Sequence, residues 1–528
     1  NFIQGATLGG ALINGQIPHI DGQGGRDTLN YSTYVLTVTV DLSKGLAASV
    51  NGGVPGNVLG SVINIENITG GYNNDILTGD SGDNVLIGGL GDDLLTGLGG
   101  NDRYVFGDNA GVDTVVEAGS AGNDTLDFST VTTSHHLNFA LKGSSILVSE
   151  EANQVSYTGS SIENLIGGAG ADTFVFADGV VIAGYIDAQG GRDTLDLSAY
   201  TSDHTIGLTN LGASDGFDGS TLSVLGGFRN LNVIKSGNSN NDTLTGMSAA
   251  AVWGLDGTDQ YISTNTLDFS GFENLVGGDA ADTFSLTGQR TYHTLRGAAG
   301  ADTFVLIGGV TLTLTEVNGI TGYVDGMGDA DTIDYSSFSS TTGVIVELPA
   351  GTATALINGR PGGVGSLLNI ENITGSPKAD RLVGDRHTNI LRGNAGDDTY
   401  VFDDEWGLDT VYDTIGMDTM DFSAVDVPLT FTLGSVVVSD GLGNVATHGG
   451  NEIEILIGGK DDDRFVFSAN GVTLAGGIGT IDGRGGVNSL DYSAYTDGVT
   501  VNLVSGTATG TAGIHNIRDL IGGSGNDS

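Results

Sequence analysis

Residues 70–105 read GGYNNDILT, GDSGDNVLI, GGLGDDLLT and GLGGNDRYV, four consecutive blocks of nine residues. Every block starts with glycine, carries Asp or Asn at its sixth position, and has Leu or Tyr at its eighth. Glycine reaches the backbone angles of tight turns that residues with a Cβ disfavour. Each block therefore predicts a glycine-rich turn and then a short strand, with these eighth residues in the core: Leu77, Leu86, Leu95 and Tyr104.

The same pattern returns later in the chain with one block missing. The motif NIENITG begins at Asn64 and again at Asn369, whereas the motif YVF begins at Tyr104 and again at Tyr400. The first spacing is 305 residues and the second is 296, so nine residues have been lost. A stack of nine-residue units can lose one unit and close again, which a globular core could hardly do.

The sequence therefore predicts two super-repeats. Residues 1–324 form the first, with clean nonapeptides at 70–106, and residues 325–528 form the second, with degraded nonapeptides at 375–402. Alternating apolar segments such as VLTVTVDL at 35–42 predict strands, and no apolar stripe has a helical period. Longer and less regular repeats, which we call cassettes, occur elsewhere in the chain. They are DGQGGRDTLNYS at 21–32, DAQGGRDTLDLS at 187–198, DGMGDADTIDYS at 325–336, DGRGGVNSLDYS at 482–493, IENLIGGAGADTFVF at 162–176 and FENLVGGDAADTFSL at 272–286.

The nonapeptides resemble the GGxGxDxUx unit of the RTX, or haemolysin-type calcium-binding, repeat family of secreted bacterial proteins. The resemblance implies an all-β fold, a right-handed parallel β-roll or β-helix solenoid with Gly- and Asp-rich loops and almost no helix. In that fold two nonapeptides form one coil, so loops from alternate blocks stack and Ca²⁺ lies between them. The implied cofactor is calcium at multiple sites, held by carbonyl and carboxylate oxygens.

Carried onto this sequence, the resemblance stacks the loop 70–75 on the loop 88–93, and the loop 79–84 on the loop 97–102. The candidate metal-binding residues of these loops are Gly70, Asp75, Gly79, Asn84, Gly88, Asp93, Gly97 and Asp102. Asn84 offers only a neutral oxygen and is expected to weaken its site. Elsewhere the same position is held by Asp27, Asp124, Asp172, Asp193, Asp302, Asp331, Asp380, Asp398 and Asp463. For an isolated loop, a tight turn without metal is an equal alternative.

The charge balance favours a cationic partner. The 528 residues include 64 acidic and 18 basic side chains, which gives a formal net charge of −46. Such a chain repels nucleic acid and anionic membrane surfaces, and no stretch approaches the roughly 18 apolar residues of a membrane span. We therefore expect calcium ions as partners, no nucleic acid and no membrane span. Because each site needs two stacked coils, calcium binding is expected to be coupled to folding.

The sequence does not predict an enzyme. GASDG at 212–216 matches the GxSxG nucleophile pattern, but in a chain with 90 glycines about one match is expected by chance. The eight histidines form no HExxH zinc motif. Paired acids such as Asp92 and Asp93 recur from block to block, which suits turns and calcium better than a glycosidase pair.

The leading functional prediction is a calcium-dependent structural solenoid of a secreted or cell-surface RTX-type protein. It would serve as an extracellular scaffold, a surface-layer or filament subunit, or an adhesin stalk. The alternative is a non-catalytic folding and secretion module of a larger RTX enzyme, such as a protease, a lipase or a polysaccharide-modifying enzyme. The resemblance also implies type I secretion.

The ends of the sequence suggest a longer protein. The chain opens partway through a cassette and closes on GGSGNDS, the first half of a nonapeptide. We therefore expect an interior segment of a longer protein. Because terminal coils without caps would have unpaired strand edges, self-association into filaments or a surface layer is a further hypothesis.

Overall fold

The computed structural model describes residues 2–3, 19–51, 54–59, 61–117, 122–159, 162–317, 320–357, 366–448 and 452–528. Regular structure in these ranges is almost entirely β-strand, with short 3₁₀ turns at Leu42–Lys44 and Ala475–Gly477. The predicted all-β fold with almost no helix is therefore confirmed. In the same ranges, no helix has the length and the hydropathy that crossing a bilayer requires.

The residues cluster into two compact units. The first consists of Asn1–Met247 with Gln260–Phe272, and the second consists of Ser248–Asp259 with Glu273–Ser528. The predicted super-repeat boundary between residues 324 and 325 follows the sequence and stays a prediction.

The described strands of the first unit are Phe2–Ile3, His19–Asp21, Thr28–Asn30, Val38–Asp41, Leu46–Asn51, Val54–Leu59, Ser61–Ile63, Asn67–Thr69, Ile76–Thr78, Val85–Ile87, Leu94–Thr96, Arg103–Val105, Val112–Val116, Asp124–Asp127, Asn138–Lys142, Ser145–Glu150, Asn153–Thr158, Ile162–Ile166, Thr173–Phe176, Ile186–Asp187, Thr194–Asp196, Thr205–Leu211, Phe217–Thr221, Val224–Leu231, Val233–Lys235, Thr243–Thr245, Gln260–Ile262 and Thr266–Ser270. The described strands of the second unit are Val252–Leu255, Asn274–Val276, Thr283–Tyr292, Thr294–Ala298, Thr303–Leu314, Glu316–Val317, Ile320–Thr321, Tyr323–Met327, Thr332–Asp334, Ile345–Glu347, Thr352–Ala353, Leu356–Ile357, Leu367–Leu368, Asn372–Thr374, Arg381–Val383, Ile390–Arg392, Thr399–Val401, Leu408–Tyr412, Asp418–Asp421, Thr430–Leu433, Val436–Ser439, Val445–His448, Ile453–Ile457, Arg464–Phe467, Thr480–Asp482, Asn488–Asp491, Val501–Asn502, Thr507–Ala508, Gly513–His515 and Ile517–Ile521.

In the first unit, the nonapeptide strands stack in two parallel ladders. Ile76–Thr78 pairs with Leu94–Thr96, and Val85–Ile87 pairs with Arg103–Val105. The amides and carboxylates that join these coils are 18 residues apart, so two nonapeptides complete one coil. This register confirms the predicted stacking of alternate loops.

In the second unit, the degraded nonapeptides keep the same parallel arrangement. Asn372–Thr374 pairs with Ile390–Arg392, and Arg381–Val383 pairs with Thr399–Val401. The next coil adds Asp418–Asp421 beside Thr399–Val401. Coils form here in spite of the altered loops because the main-chain hydrogen bonds of a parallel ladder require no particular side chain.

Antiparallel hairpins interrupt the parallel ladders of the first unit, an arrangement that the nine-residue pattern does not predict. Asn138–Lys142, Ser145–Glu150 and Asn153–Thr158 form an antiparallel meander. Its two outer strands rejoin the parallel ladder, beside Thr173–Phe176 and Val112–Val116 respectively. The prediction of a parallel solenoid is therefore right for the ladders and incomplete where hairpins widen a coil.

The second unit contains a meander of the same kind, built from Thr430–Leu433, Val436–Ser439 and Val445–His448. In each of these two meanders the first turn contains a glycine with a positive φ, +59° at Gly143 and +121° at Gly434. Tight hairpins need such angles, which other residues adopt at a cost.

Buried side chains from the strands fill the interior. Leu77, Leu86, Leu95 and Tyr104 are fully buried, as predicted. Rings from successive coils pack together at centroid distances of 4.4 to 5.3 Å in the first unit, at Phe106, Phe128, Phe139 and Phe174. The second unit repeats this row at 4.4 to 5.4 Å with Phe402, Phe422, Phe431 and Phe465. Because each coil is covered by its neighbours, the loops at the ends of the strands are held at a fixed spacing.

Candidate calcium sites

The acidic residue at the sixth position of a nonapeptide is buried although it carries a carboxylate. Asp75 is 1% exposed and Asp93 is 3% exposed. Each precedes its strand directly, so its side chain lies beneath the glycine-rich loop. The Gly71 amide donates a hydrogen bond to Asp75 Oδ2 at 2.6 Å, which closes the first loop.

Successive acids are connected through the main chain. The Asp75 amide donates to Asp93 Oδ1 at 2.6 Å, and the Asp93 amide donates to Asp113 Oδ1 at 2.9 Å. On the other ladder, the Asn84 amide donates to Asp102 Oδ1 at 2.7 Å. Each acid thus binds the amide of the preceding coil, and the buried acids form a row along the ladder that we call a carboxylate column.

Most of the other predicted residues belong to such columns. The amide of the first residue donates to Oδ1 of the second, at 2.7 to 2.8 Å, in the pairs Asp102 and Asp124, Asp172 and Asp193, Asp302 and Asp331, and Asp380 and Asp398. Two predicted residues, Asp463 and Asp27, form no such pair with another predicted residue. The Asp463 amide donates to Asn488 Oδ1 at 2.8 Å, and the amide of the half-buried Asp27 donates to Glu66 Oε2 at 2.7 Å.

The predicted glycines lie where these oxygens converge. The loops begin with Gly70, Gly79, Gly88 and Gly97. A Cβ on Gly70 would come within 3.0 Å of the Gly88 carbonyl oxygen and of Asp75 Oδ2. A Cβ on Gly88 would come within 3.0 Å of Asp93 Oδ2. Glycine is therefore required for carbonyl and carboxylate oxygens to approach each other between coils.

Many buried acids have one oxygen without a hydrogen bond. In the described part of the chain, Oδ2 has no partner at Asp93, Asp102, Asp113, Asp193, Asp302, Asp331, Asp398, Asp409 and Asp418. An unpaired buried carboxylate oxygen is costly, so these atoms require an explanation such as a bound ion. Carboxylate and carbonyl oxygens are the hard donors that Ca²⁺ takes as ligands. The residues present therefore fit calcium.

Burial also shifts the protonation of these acids. Burial raises the pKa of Asp93 to about 7 and the pKa of Asp113 to about 8, and neighbouring acids add to the rise. The same causes raise the pKa of Asp193 to about 8 and the pKa of Asp331 to about 7. A carboxyl group must lose its proton before it binds a metal, so calcium binding is expected to release protons near neutral pH.

Asn84 differs from the acids because the protein satisfies its amide. Its Oδ1 accepts from the Asp80 amide at 2.7 Å, and its Nδ2 donates to the Glu66 carbonyl oxygen at 2.8 Å. These bonds hold the loop without a charge. That Asn84 weakens the affinity of its site stays a prediction.

Several members of the carboxylate columns were not predicted from the sequence, namely Asp113, Asp282, Asp409 and Asp418. The Asp282 amide donates to Asp302 Oδ1 at 2.7 Å. Asp282 is the sixth residue of GGDAADTFS at 277–285, so its position in the nine-residue pattern already indicated a column acid. Some columns continue into a glutamate, as where the Asp124 amide donates to Glu163 Oε2 at 2.8 Å. A longer side chain reaches the same amide from a different backbone position, which the nine-residue pattern does not reveal.

Alanine in place of a loop glycine is expected to destabilise the calcium-loaded chain where the coils approach. Gly89 has a φ of +108°, and a Cβ there would come within 3.0 Å of the Gly71 carbonyl oxygen. We expect Gly89→Ala to lower the free energy of unfolding by about 1–3 kcal/mol from backbone strain alone. Urea denaturation in saturating calcium measures this. The control is Gly190→Ala, where a Cβ would meet nothing within 4 Å, and equal losses in the two variants would contradict the prediction.

Comparison with protein families supports this interpretation of the loops. The family model of the RTX calcium-binding nonapeptide repeat matches residues 69–104, 157–179 and 369–400, in four copies. A comparison with curated proteins finds no match. The matched segments contain the loops that begin the carboxylate columns in both units. The chain therefore carries RTX calcium-binding nonapeptide repeats and folds into a calcium-binding β-roll over them.

Proposed function

We propose that the chain is the calcium-dependent structural part of a secreted or cell-surface protein, where it serves as an extracellular scaffold, a surface-layer or filament subunit, or an adhesin stalk. One observation carries this proposal: buried carboxylates with an unpaired oxygen recur from coil to coil in both units. Ions bound in this way would connect neighbouring coils along a ladder. Such a distribution suits mechanical support better than chemistry at a single centre.

The chain's own residues define what each site does. The main-chain amides hold Oδ1 of each acid, as in the pair of Asp75 and Asp93, and this fixes the direction of Oδ2. The glycines let the next loop approach without a steric clash. Calcium, when bound, supplies positive charge that offsets the carboxylates and connects the two loops. The net charge of −46 makes this compensation important for every coil.

An extracellular location agrees with the expected affinity range. Calcium modules that work outside cells bind with dissociation constants of about 0.1–1 mM, well above cytosolic calcium levels. The chain would therefore remain expanded in the cytosol and fold after export. The resemblance to RTX proteins supports type I secretion as the route. We propose no catalytic role for this chain.

Fractionation of native cells tests the proposal. Antibodies against this chain are expected to detect it in the medium or on the cell surface, and chelation of calcium is expected to release or unfold it there. A cytosolic location would refute the proposal. If the full-length protein instead carries a catalytic domain whose folding or export depends on this segment, the chain is a folding and secretion module of an RTX enzyme.

A further inference from the structure

A cluster of three carboxylates lies where the fourth nonapeptide, residues 97–105, meets the coils that follow it. Oxygens of Asp102, Glu117 and Asp124 all lie within 4.8 Å of one another. Asp102 and Asp124 belong to a carboxylate column, but Glu117 lies outside the nonapeptides. It follows the strand Val112–Val116, and it takes the place that Gly97 holds one coil earlier.

The second unit contains the same arrangement. Oxygens of Asp398, Asp413 and Asp418 lie within 4.8 Å of one another. Asp413 follows the strand Leu408–Tyr412 and takes the place of Gly393 one coil earlier. In the described part of the chain, these two clusters are the groups of three or more acids or histidines with this spacing. An acid in place of a loop glycine at the same point of both super-repeats indicates a shared role.

Each cluster also contains buried carboxylate oxygens that lack a partner. Within the described residues, Oδ2 of Asp102 has no hydrogen bond, and Oδ2 of Asp398 and Asp418 has none either. Asp102 is 1% exposed, and Asp398 and Asp418 are 0% exposed. Amides of neighbouring coils hold the other oxygen of Asp102 and Asp418 at 2.7 and 2.9 Å. The unpaired oxygens thus point into the cluster from fixed positions.

The oxygens of the first cluster converge on the space beside Gly97. A Cβ on Gly97 would come within 3.0 Å of Asp102 Oδ2, Glu117 Oε1 and Tyr104 Oη. The corresponding glycine of the second unit has the same three kinds of neighbour, because a Cβ on Gly393 would come within 3.0 Å of Asp398 Oδ2, Asp413 Oδ2 and Tyr400 Oη. A glycine is needed at both places to leave room between these oxygens.

A buried tyrosine holds the additional acid in each cluster. The Tyr104 hydroxyl donates to Glu117 Oε1, and the Tyr400 hydroxyl donates to Asp413 Oδ2 at 2.6 Å. The tyrosine and the acid are 13 residues apart in both units. Tyr104 and Tyr400 are fully buried, so each ring is fixed by the core. They are positioning residues, because they direct a carboxylate toward the cluster.

We propose that each cluster is a high-affinity calcium site in which an acid from outside the nonapeptide supplies a third carboxylate, and that these two sites fill first. The reason is the number of charges: affinity for Ca²⁺ rises with the number of carboxylate ligands and with the rigidity of the site. The column pairs offer two carboxylates from adjacent coils, whereas each cluster offers three. This inference rests on the calcium binding that underlies the proposed function.

Calcium titration by calorimetry tests the proposal on the whole chain. The wild type is expected to show two tight sites and a larger number of weaker ones. Glu117→Gln and Asp413→Asn are each expected to remove one tight site, and the double variant is expected to remove both. The control is Asp127→Asn, which changes a buried acid on the next strand, outside the cluster, and should leave both tight sites. Two tight sites in the double variant would overturn the proposal.

The tyrosines provide a second variant with a different readout. Tyr104→Phe keeps the ring and removes the hydroxyl, so the core should stay packed while Glu117 loses its positioning bond. We expect the affinity of one tight site to fall by about tenfold or more, with an unchanged circular dichroism spectrum in saturating calcium. An unchanged affinity would show that the hydroxyl plays no part in the site.

Crystals of the wild type provide a test that does not depend on the stability of a variant. With two equivalents of Tb³⁺ as the calcium probe, anomalous scattering is expected to show one peak at each cluster, and peaks confined to other loops would overturn the proposal. The outcome is separable from the proposed function. If the chain folds without calcium but the peaks lie at the clusters, the scaffold proposal fails and the site assignment stands.

Discussion

Removal of calcium near neutral pH is expected to unfold the coils and expand the chain. Without the ion, buried carboxylates with an unpaired oxygen, such as Asp93 and Asp302, lie next to other acids of their own columns, Asp75 and Asp282 respectively, in a chain of net charge −46. The site exists only when two coils are stacked, so loss of the ion and loss of the stack are one event. In chelator, the β-strand signal in circular dichroism should disappear. The radius of gyration from X-ray scattering should approach the value of about 85 Å expected for an unfolded chain of this length.

The control for this experiment is the choice of ion. Re-addition of calcium should restore both signals, whereas the same concentration of magnesium should not, because Mg²⁺ demands a smaller octahedral site and loses its waters reluctantly. High salt without calcium separates general charge repulsion from specific binding. If the spectrum and the radius are the same in chelator and in calcium, folding does not depend on the ion, and the structural role proposed here is wrong.

Acid is expected to substitute partly for calcium in stabilising the coils. Burial raises the pKa of Asp93 and Asp398 to about 7 and that of Asp409 to about 8, whereas an unfolded aspartic acid titrates near 4. In the absence of calcium, at pH values between the unfolded and the folded pKa, the folded chain therefore binds more protons than the unfolded chain. Its stability is highest at low pH and falls as the pH rises from about 4 to about 8. For Asp93 alone, the free energy of unfolding of the calcium-free chain is expected to fall by about 4 kcal/mol over this pH range.

Calcium reverses this dependence, because protons compete with the ion for the same oxygens. Affinity for calcium should therefore rise over the pH range in which the calcium-free chain loses stability. The β-strand signal of circular dichroism in chelator, followed from about pH 5 to about pH 8 and compared with calorimetric calcium titration over the same range, measures both trends. Replacing one column acid, as in Asp93→Asn, should reduce the slope in chelator. A calcium-free chain that is more stable at the higher pH would contradict the assignment of these acids.

The nine-residue pattern was sufficient to predict the turns, the short strands and their buried residues, because every element of it acts locally. Glycine sets the turn, the sixth residue places a carboxylate under the loop, and the eighth residue enters the core. The register of Asp75 on Asp93 also required the resemblance to RTX repeats, which implies that two nonapeptides form one coil. The hairpin around Gly143 could not be predicted in this way, because alternating apolar residues indicate strands but not whether the neighbouring strand is parallel.

The three-carboxylate clusters could be recognised only from the tertiary structure. Glu117 and Tyr104 are 13 residues apart and meet only when a coil closes, and Asp124 joins them from the next coil. What the sequence determined by itself was the repeating unit, its β-strands and its preference for a hard cation, since these follow from the chemistry of single residues and short spacings. Which acids lie close enough to share one ion was decided by the stacking of coils, because the distance between coils depends on strand pairing and on the packing of the core.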